Sequence, residues 1–326
     1  MLFRRIALLT FLLCVPPAFA DGTPCGGVDL SADSAIKPDF KAHADDMLNG
    51  DGLLWRIDKP GLAPSYLYGT MHSTAEGPMR LAAQAAPYAE KATAIATELG
   101  AMGQEQKIEV GASMVQAAVS PNADTFAGVI EGQDAQRVEA LLTAKGMPPL
   151  LAHHVKLWLL AVQASLPQCE IDGQAKGLPE VDESFAKIAE AHHIPIVGLE
   201  SVAEQVRVLS SVNPNLAASE LKSIARGGGY ADGGYATLLS LYDQKRPTAA
   251  LAVLDAAPGL DAAERAATAE LTRLLLADRN DVMAQRAAPL LAKGGAFIAV
   301  GALHLSGKRG IIEILRREGY QVTNVW

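Results

Sequence analysis

Two histidines separated by most of the chain share one local setting. Gly69-Thr70-Met71-His72 follows the apolar run Tyr66-Leu67-Tyr68, and Gly301-Ala302-Leu303-His304 follows Ala296-Phe297-Ile298-Ala299-Val300. Each run reads as a short buried strand ending in Gly-x-x-His. Glu98 closes a third such run, Ala94-Ile95-Ala96-Thr97. Ligands gather at the carboxyl ends of strands in α/β sheets. Imidazole and carboxylate suit a borderline divalent ion such as Zn2+, Mn2+ or Co2+. His72, Glu98 and His304 would leave open positions on such an ion, which at neutral pH turns water into a nucleophile for hydrolysis. Glu98 is either a third ligand or the general base on that water. Gly69 and Gly301 are expected to supply sharp turns with backbone angles that other residues avoid. One Gly-x-x-His is a weak signal, since a strand-end histidine can simply donate to a backbone carbonyl. The doubled context is what points to one shared site.

The elements that must carry these residues follow from the pattern. Strands are expected at Leu53–Ile57, Ser65–Tyr68, Ala94–Glu98, Ile194–Val197, 296–300 and Gln321–Val325. Helical spacing covers 39–49, Met79–Lys91, Gln104–Val119, Gln133–Ala144, Pro149–Leu166, Asp182–His192, most of 202–292, and Lys308–Glu318. The segment around Cys169, Asp172 and Gly173 reads as a loop. Strands thus sit at both ends and once in the middle. The expected fold is α/β or α+β, with a central mixed sheet built from the N- and C-terminal halves and flanked by helices. A single domain is expected over 39–326, with a large helical cap at about 104–166 and 202–292.

The first twenty residues have the form of a signal peptide: Arg4-Arg5, an apolar core from Ile6 to Val15, and Ala18-Phe19-Ala20 as the small-x-small cleavage pattern. Residues 21–38 read as a polar arm. No later stretch is apolar enough for a membrane span, so a periplasmic or secreted protein is expected. Loss of Arg4 and Arg5 from 28 basic residues leaves 26 against 36 acidic ones, a net charge of −10. That balance argues against nucleic acid and anionic membranes as partners. Cys25 and Cys169 remain after cleavage, an even pair in an oxidising compartment, and a disulfide between them is expected. Oligomeric state is not legible.

Taken in order, the motifs resemble the TraB/PrgY/GumN family, which includes the Tiki metalloproteases. The matching residues are Leu54-Trp55-Arg56-Ile57, Tyr66 to His72, Glu98, Gly198-Leu199-Glu200-Ser201, Glu204-Gln205, Arg279-Asn280, Met283, and Phe297 to Leu305 with Gly307, Gly310, Leu315, Gly319-Tyr320 and Val322. The resemblance implies a fold related to erythromycin esterase and ChaN. It also implies metal-dependent hydrolysis of a peptide or protein through His72, Glu98 and His304. Four further positions match. Arg279 would steady an oxyanion or a substrate carboxylate, and Asn280 would hydrogen-bond to the ligand shell. Glu200 and Gln205 are placed at substrate binding. Helix capping and a junction salt bridge remain open for Arg279 and Asn280.

Other candidates carry less. Adjacent residues on a helix point to different sides, so neither His153-His154 nor His192-His193 chelates as a unit. Gly227-Gly228-Gly229 has no following Lys-Ser/Thr and is not a phosphate loop. Glu180, Asp182 and Glu183 read as an acidic helix start that suits the dipole. No Gly-x-Ser-x-Gly occurs. Two alternatives to a hydrolase stand: a non-catalytic envelope protein that captures a peptide or haem, and an accessory role in exopolysaccharide production. The low aromatic content, 5%, weighs mildly against haem or sugar platforms.

Overall fold

The computed structural model describes Cys25 and residues 27–227, 232–257 and 261–326. The signal-peptide expectation, and Gly228 and Gly229 of the glycine-rich break, lie outside the described residues. Six strands form one sheet: β1 (Leu54–Asp58), β2 (Ser65–Thr70), β3 (Ala94–Thr97), β4 (Ile196–Gly198), β5 (Ala296–Gly301) and β6 (Gln321–Asn324). Their order is β4-β3-β5-β2-β1-β6. The first four in that order run parallel, and β1 is antiparallel to both β2 and β6. The sheet is therefore mixed and draws its strands from both ends of the chain.

Along β5, successive side chains enter opposite layers, as the two-residue period of a strand requires. Phe297 and Ala299 pack with Tyr68 and Ile95 against Leu81, Ala85 and Phe185. Those last three belong to two helices, α1 (Glu76–Ala89) and α7 (Val181–Ala191). Ile298 and Val300 face the other way, with Leu67 and Ala96, against Met283, Ala287, Ile312 and Leu315. Burial on both faces explains why β3 and β5 read as continuous apolar runs.

Between the strands run α2 (Gln104–Ala118), α3 (Gly132–Ala144), α4 (Pro149–Ala152), α5 (Leu157–Ser165) and α6 (Gln168–Ala175). After β4 come α8 (Val202–Ser210), α9 (Pro214–Ala225), α10 (Asp232–Asp243), α11 (Ala249–Asp255) and α12 (Ala262–Leu291), with α13 (Ile311–Arg317) near the end. Val138, Leu142, Leu157, Leu160, Ala218 and Leu221 belong to a separate apolar cluster that contains no strand residue. The 30-residue α12 spans both regions. Leu271 meets the helical cluster, whereas Met283, Ala287 and Leu291 pack on the sheet. Its middle, with Arg279 and Asn280, falls between the two.

Several expectations change in detail. Residues 39–49 form turns instead of a helix, because Asp39 Oδ1 accepts from the amides of Lys41 and Ala42 and isolated turns follow. The expected helix 149–166 is two helices. The Lys156 amide donates to Ala118 O, and Val155 bridges to Val119, which draws 153–156 out of the helix. The Cys169 segment is a helix, not a loop. Its Gly173 is misleading, since it lies where a Cβ would meet Thr74 Oγ1 at 2.1 Å. β4 is an edge strand, as Pro195 just before it suits. Cys25 and Cys169 are joined by a disulfide. Among the described residues no helix is long and apolar enough to cross a membrane.

Candidate functional site

Four neighbouring parallel strands deliver four of the expected residues to one edge. Glu200 follows β4, Glu98 follows β3, His304 follows β5 and His72 follows β2. Gly69 pairs with Val300 and Thr70 with Gly301, so the two Gly-x-x-His segments leave the sheet side by side.

The glycines serve space, not unusual angles. Gly301 has φ −50°, and Gly69 is not among the residues of positive φ. A Cβ on Gly69 would come within 2.9 Å of Ala302 Cα, and one on Gly301 within 3.2 Å of Glu98 Oε1. The expectation of strained turns is corrected to one of close approach.

Glu98 and Glu200 are both buried. Glu98 Oε1 accepts from the Gly301 amide at 2.9 Å. Its Oε2 accepts from Arg279 Nη2 at 2.7 Å and Gln205 Nε2 at 3.1 Å. Arg279 also donates from Nε and Nη2 to Glu200, and Gln205 Nε2 donates to Glu200 Oε2. Arg279 Nη1 donates to Leu275 O. One guanidinium thus holds two carboxylates, with Gln205 between them. Burial alone would raise the Glu98 pKa. The fields of His304, His72 and Arg279 and the Gly301 amide override it and hold the carboxyl at about 2. That places its stabilising contribution above the ordinary carboxyl range, to be lost as pH falls from about 4.5 through about 2.

His304 is buried, and its Nδ1 lies 2.6 Å from Asn280 Oδ1. Asn280 Nδ2 donates to Arg309 O, which identifies the amide oxygen as the atom facing the imidazole. Nδ1 therefore carries the proton, and Nε2 presents a lone pair. Burial, ahead of the opposing pull of Glu98, lowers the pKa to about 4. Nε2 lies 3.8 Å from Glu98 Oε1. Two electron-rich atoms thus face each other in a buried setting, at a spacing near the roughly 3.3 Å expected for two ligands of one tetrahedral ion. In metal-free protein at pH 6, 15N spectra should show His304 neutral with the proton on Nδ1. Its stabilising contribution is lost on acidification from about 6.5 to about 4. Titration near 6.5 would contradict this assignment.

His72 is more open, with 62% of its side chain exposed. Its Nδ1 lies 3.1 Å from Asp182 Oδ2 and 3.8 Å from Glu180 Oε2. Thr70 Oγ1 donates to Asp182 Oδ1 at 3.1 Å. Contact with Asp182, with the charges of Glu98 and Glu180 nearby, raises the imidazole pKa. Glu180 is itself raised, chiefly by burial. Nδ1 of His304 is hydrogen-bonded and Nδ1 of His72 faces Asp182; Nε2 of His304 presents a lone pair, whereas His72 must first lose its Nε2 proton to bind an ion. Among the described residues, no three His, Cys, Asp or Glu side chains stand together at coordinating distance. The donor chemistry nonetheless fits an ion at His304 and Glu98, with His72 on the adjacent strand end.

Asp182 and Glu180 carry no sequence signal for this role. As acids at a helix start, they read as dipole partners. Only the packing of α7 on the sheet brings them to a residue about 110 positions earlier. A cavity of about 480 Å3 borders Asn280 and Leu303, but its wall includes none of His72, Glu98 and His304. The donor atoms, not the cavity, locate the candidate site.

Residues 53–324 match the model of the TraB/PrgY/gumN family. The chain belongs to this family. A Nematostella vectensis protein described as a metalloprotease TIKI homolog is 27% identical over 195 residues. That match covers 52% of this chain and 40% of the relative, so less than half of the relative's length is represented. No solved structure matches the chain. For this TraB/PrgY/gumN family member, both Gly-x-x-His segments and the Glu98 cluster fall inside the matched span.

Proposed function

We propose that this chain is a metal-dependent hydrolase acting on a peptide or protein. The observation that carries the reading is the buried His304 Nε2 lone pair facing Glu98 Oε1, beside the strand that delivers His72. The similarity to a protein described as a metalloprotease homolog supports the peptide-bond chemistry.

His304, Glu98 and His72 would hold a divalent ion, with Zn2+, Mn2+ and Co2+ as candidates. Such an ion supplies Lewis acidity and lowers the pKa of water. The remaining residues prepare the site. Asn280 fixes the His304 tautomer, and Asp182, 3.1 Å from His72 Nδ1, leaves Nε2 as the ring atom through which His72 would bind. Arg279 and Gln205 fix the Glu98 carboxylate, and Glu200 balances Arg279. This assigns Glu200 and Gln205 to support of Glu98, in place of direct substrate contact. Glu98 remains the candidate to take a proton if it is not a ligand. The Cys25–Cys169 disulfide fits an oxidising compartment, the periplasm or the exterior. Residues 39–326 are proposed to form one domain with its helical cap.

The test is hydrolysis of a mixed peptide pool, read by mass spectrometry. Cleavage should require added Mn2+, Co2+ or Zn2+ and stop with chelator. Cleavage unaffected by chelator, or none with any of the three ions, would reject the reading.

A further inference from the structure

The five residues between β2 and α1 carry His72, yet neither element fixes them fully. Two of them, Ser73 and Thr74, are held by Glu170 of α6. This carboxylate is 2% exposed. Its Oε1 accepts from Ser73 Oγ at 2.6 Å and from the Tyr235 hydroxyl. Its Oε2 accepts from the Thr74 amide at 2.7 Å and Thr74 Oγ1 at 2.9 Å. Ser73 Oγ in turn accepts from the Ala75 amide at 3.0 Å. Gly173, one helical turn on from Glu170, lets α6 lie directly against Thr74. The neighbour of Glu170 is Cys169, tied to Cys25.

Burying an anion is costly unless its oxygens are fully used. Here all four donor groups are neutral, and three of them belong to Ser73 and Thr74, the two residues after His72. We propose that Glu170 is the positioning residue that sets where His72 stands relative to the end of β5. The proposal rests on the reading of His72 as a metal ligand. A carboxylate is suited to the task because both its oxygens accept. An amide of the same size would present an N–H group to the hydroxyls or to the Thr74 amide.

Glu170→Gln, Tyr235→Phe and a remote control, Val253→Ala, test this. Val253 of α11 is buried in an apolar cluster that includes Leu241 of α10 but no site residue and no partner of Glu170. The readouts are Co2+ affinity and visible spectrum by titration, and amide exchange over 72–75. Glu170→Gln should weaken Co2+ binding about 10–100-fold, change the spectrum and speed exchange of the Thr74 amide. Tyr235→Phe, which removes one donor only, should do the same to a smaller extent. Val253→Ala should lower the melting temperature while leaving affinity, spectrum and exchange at 72–75 unchanged. Equal effects from Val253→Ala, or wild-type affinity and exchange in both Glu170→Gln and Tyr235→Phe, would overturn the proposal. Should Glu170→Gln fail to fold, Tyr235→Phe decides. Wild-type protein that binds no Co2+ would reject the metal reading instead. Exchange at 72–75 would then judge Glu170 by itself: acceleration in Glu170→Gln but not in Val253→Ala supports it, and no acceleration in Glu170→Gln overturns it.

Discussion

Arg279→Met should destabilise the metal-free protein by about 3–5 kcal/mol at pH 7, the cost of leaving a buried charge without its partner. The guanidinium side chain is 15% exposed and bridges Glu98 and Glu200, which are 7% and 3% exposed at their side chains. Methionine fills similar volume, so packing changes little and the electrostatic loss dominates. The two carboxylates would then face each other across Gln205 alone. Without the guanidinium that helps to lower it, the Glu98 pKa should rise, and the deficit should shrink as pH falls from 7 to 5 and that carboxylate takes up a proton. Urea unfolding of both proteins at the two pH values reads this directly. A loss below about 1 kcal/mol at pH 7 would place the pair in the weak, exposed class and contradict the buried clamp.

Glu98→Gln should lower hydrolysis at least about 100-fold, because either role open to Glu98 demands a carboxylate. As general base it is worth about 100- to 10,000-fold. As a ligand its loss removes the ion as well. The two roles separate on metal content. A variant that keeps its ion but does not turn over identifies a base, and one that loses both identifies a ligand. The substitution keeps the side-chain volume and leaves Arg279 paired with Glu200, so the fold should persist. Near-normal turnover in Glu98→Gln would remove this residue from the chemistry.

The sheet was legible because its strands are short apolar runs closed by glycine or a turn. All six were placed to within two residues at each end. That the two Gly-x-x-His segments leave paired strands was legible only through their repetition, since nothing in local spacing brings together segments more than 200 positions apart. Helix boundaries were less clear where long-range contacts decide them. The break at 153–156 depends on pairing with Val119, and the helix around Cys169 contains a glycine demanded by Thr74. The supporting acids were the hardest to read. Asp182 has the local pattern of a helix start, and Glu170 sits in a polar stretch with no apolar periodicity to mark it as buried. Their partners, His72 and the Ser73-Thr74 pair, lie about 100 residues away in sequence.

Elemental analysis of purified protein, beside His72→Ala and His304→Ala, is the direct test of a shared ion at the ends of β2 and β5. One divalent ion per chain is expected in the native sequence, with its loss in both variants while the circular dichroism of the fold is kept. A native protein that carries no ion after exposure to Zn2+, Mn2+ and Co2+, or two variants that retain a full complement, would contradict the account.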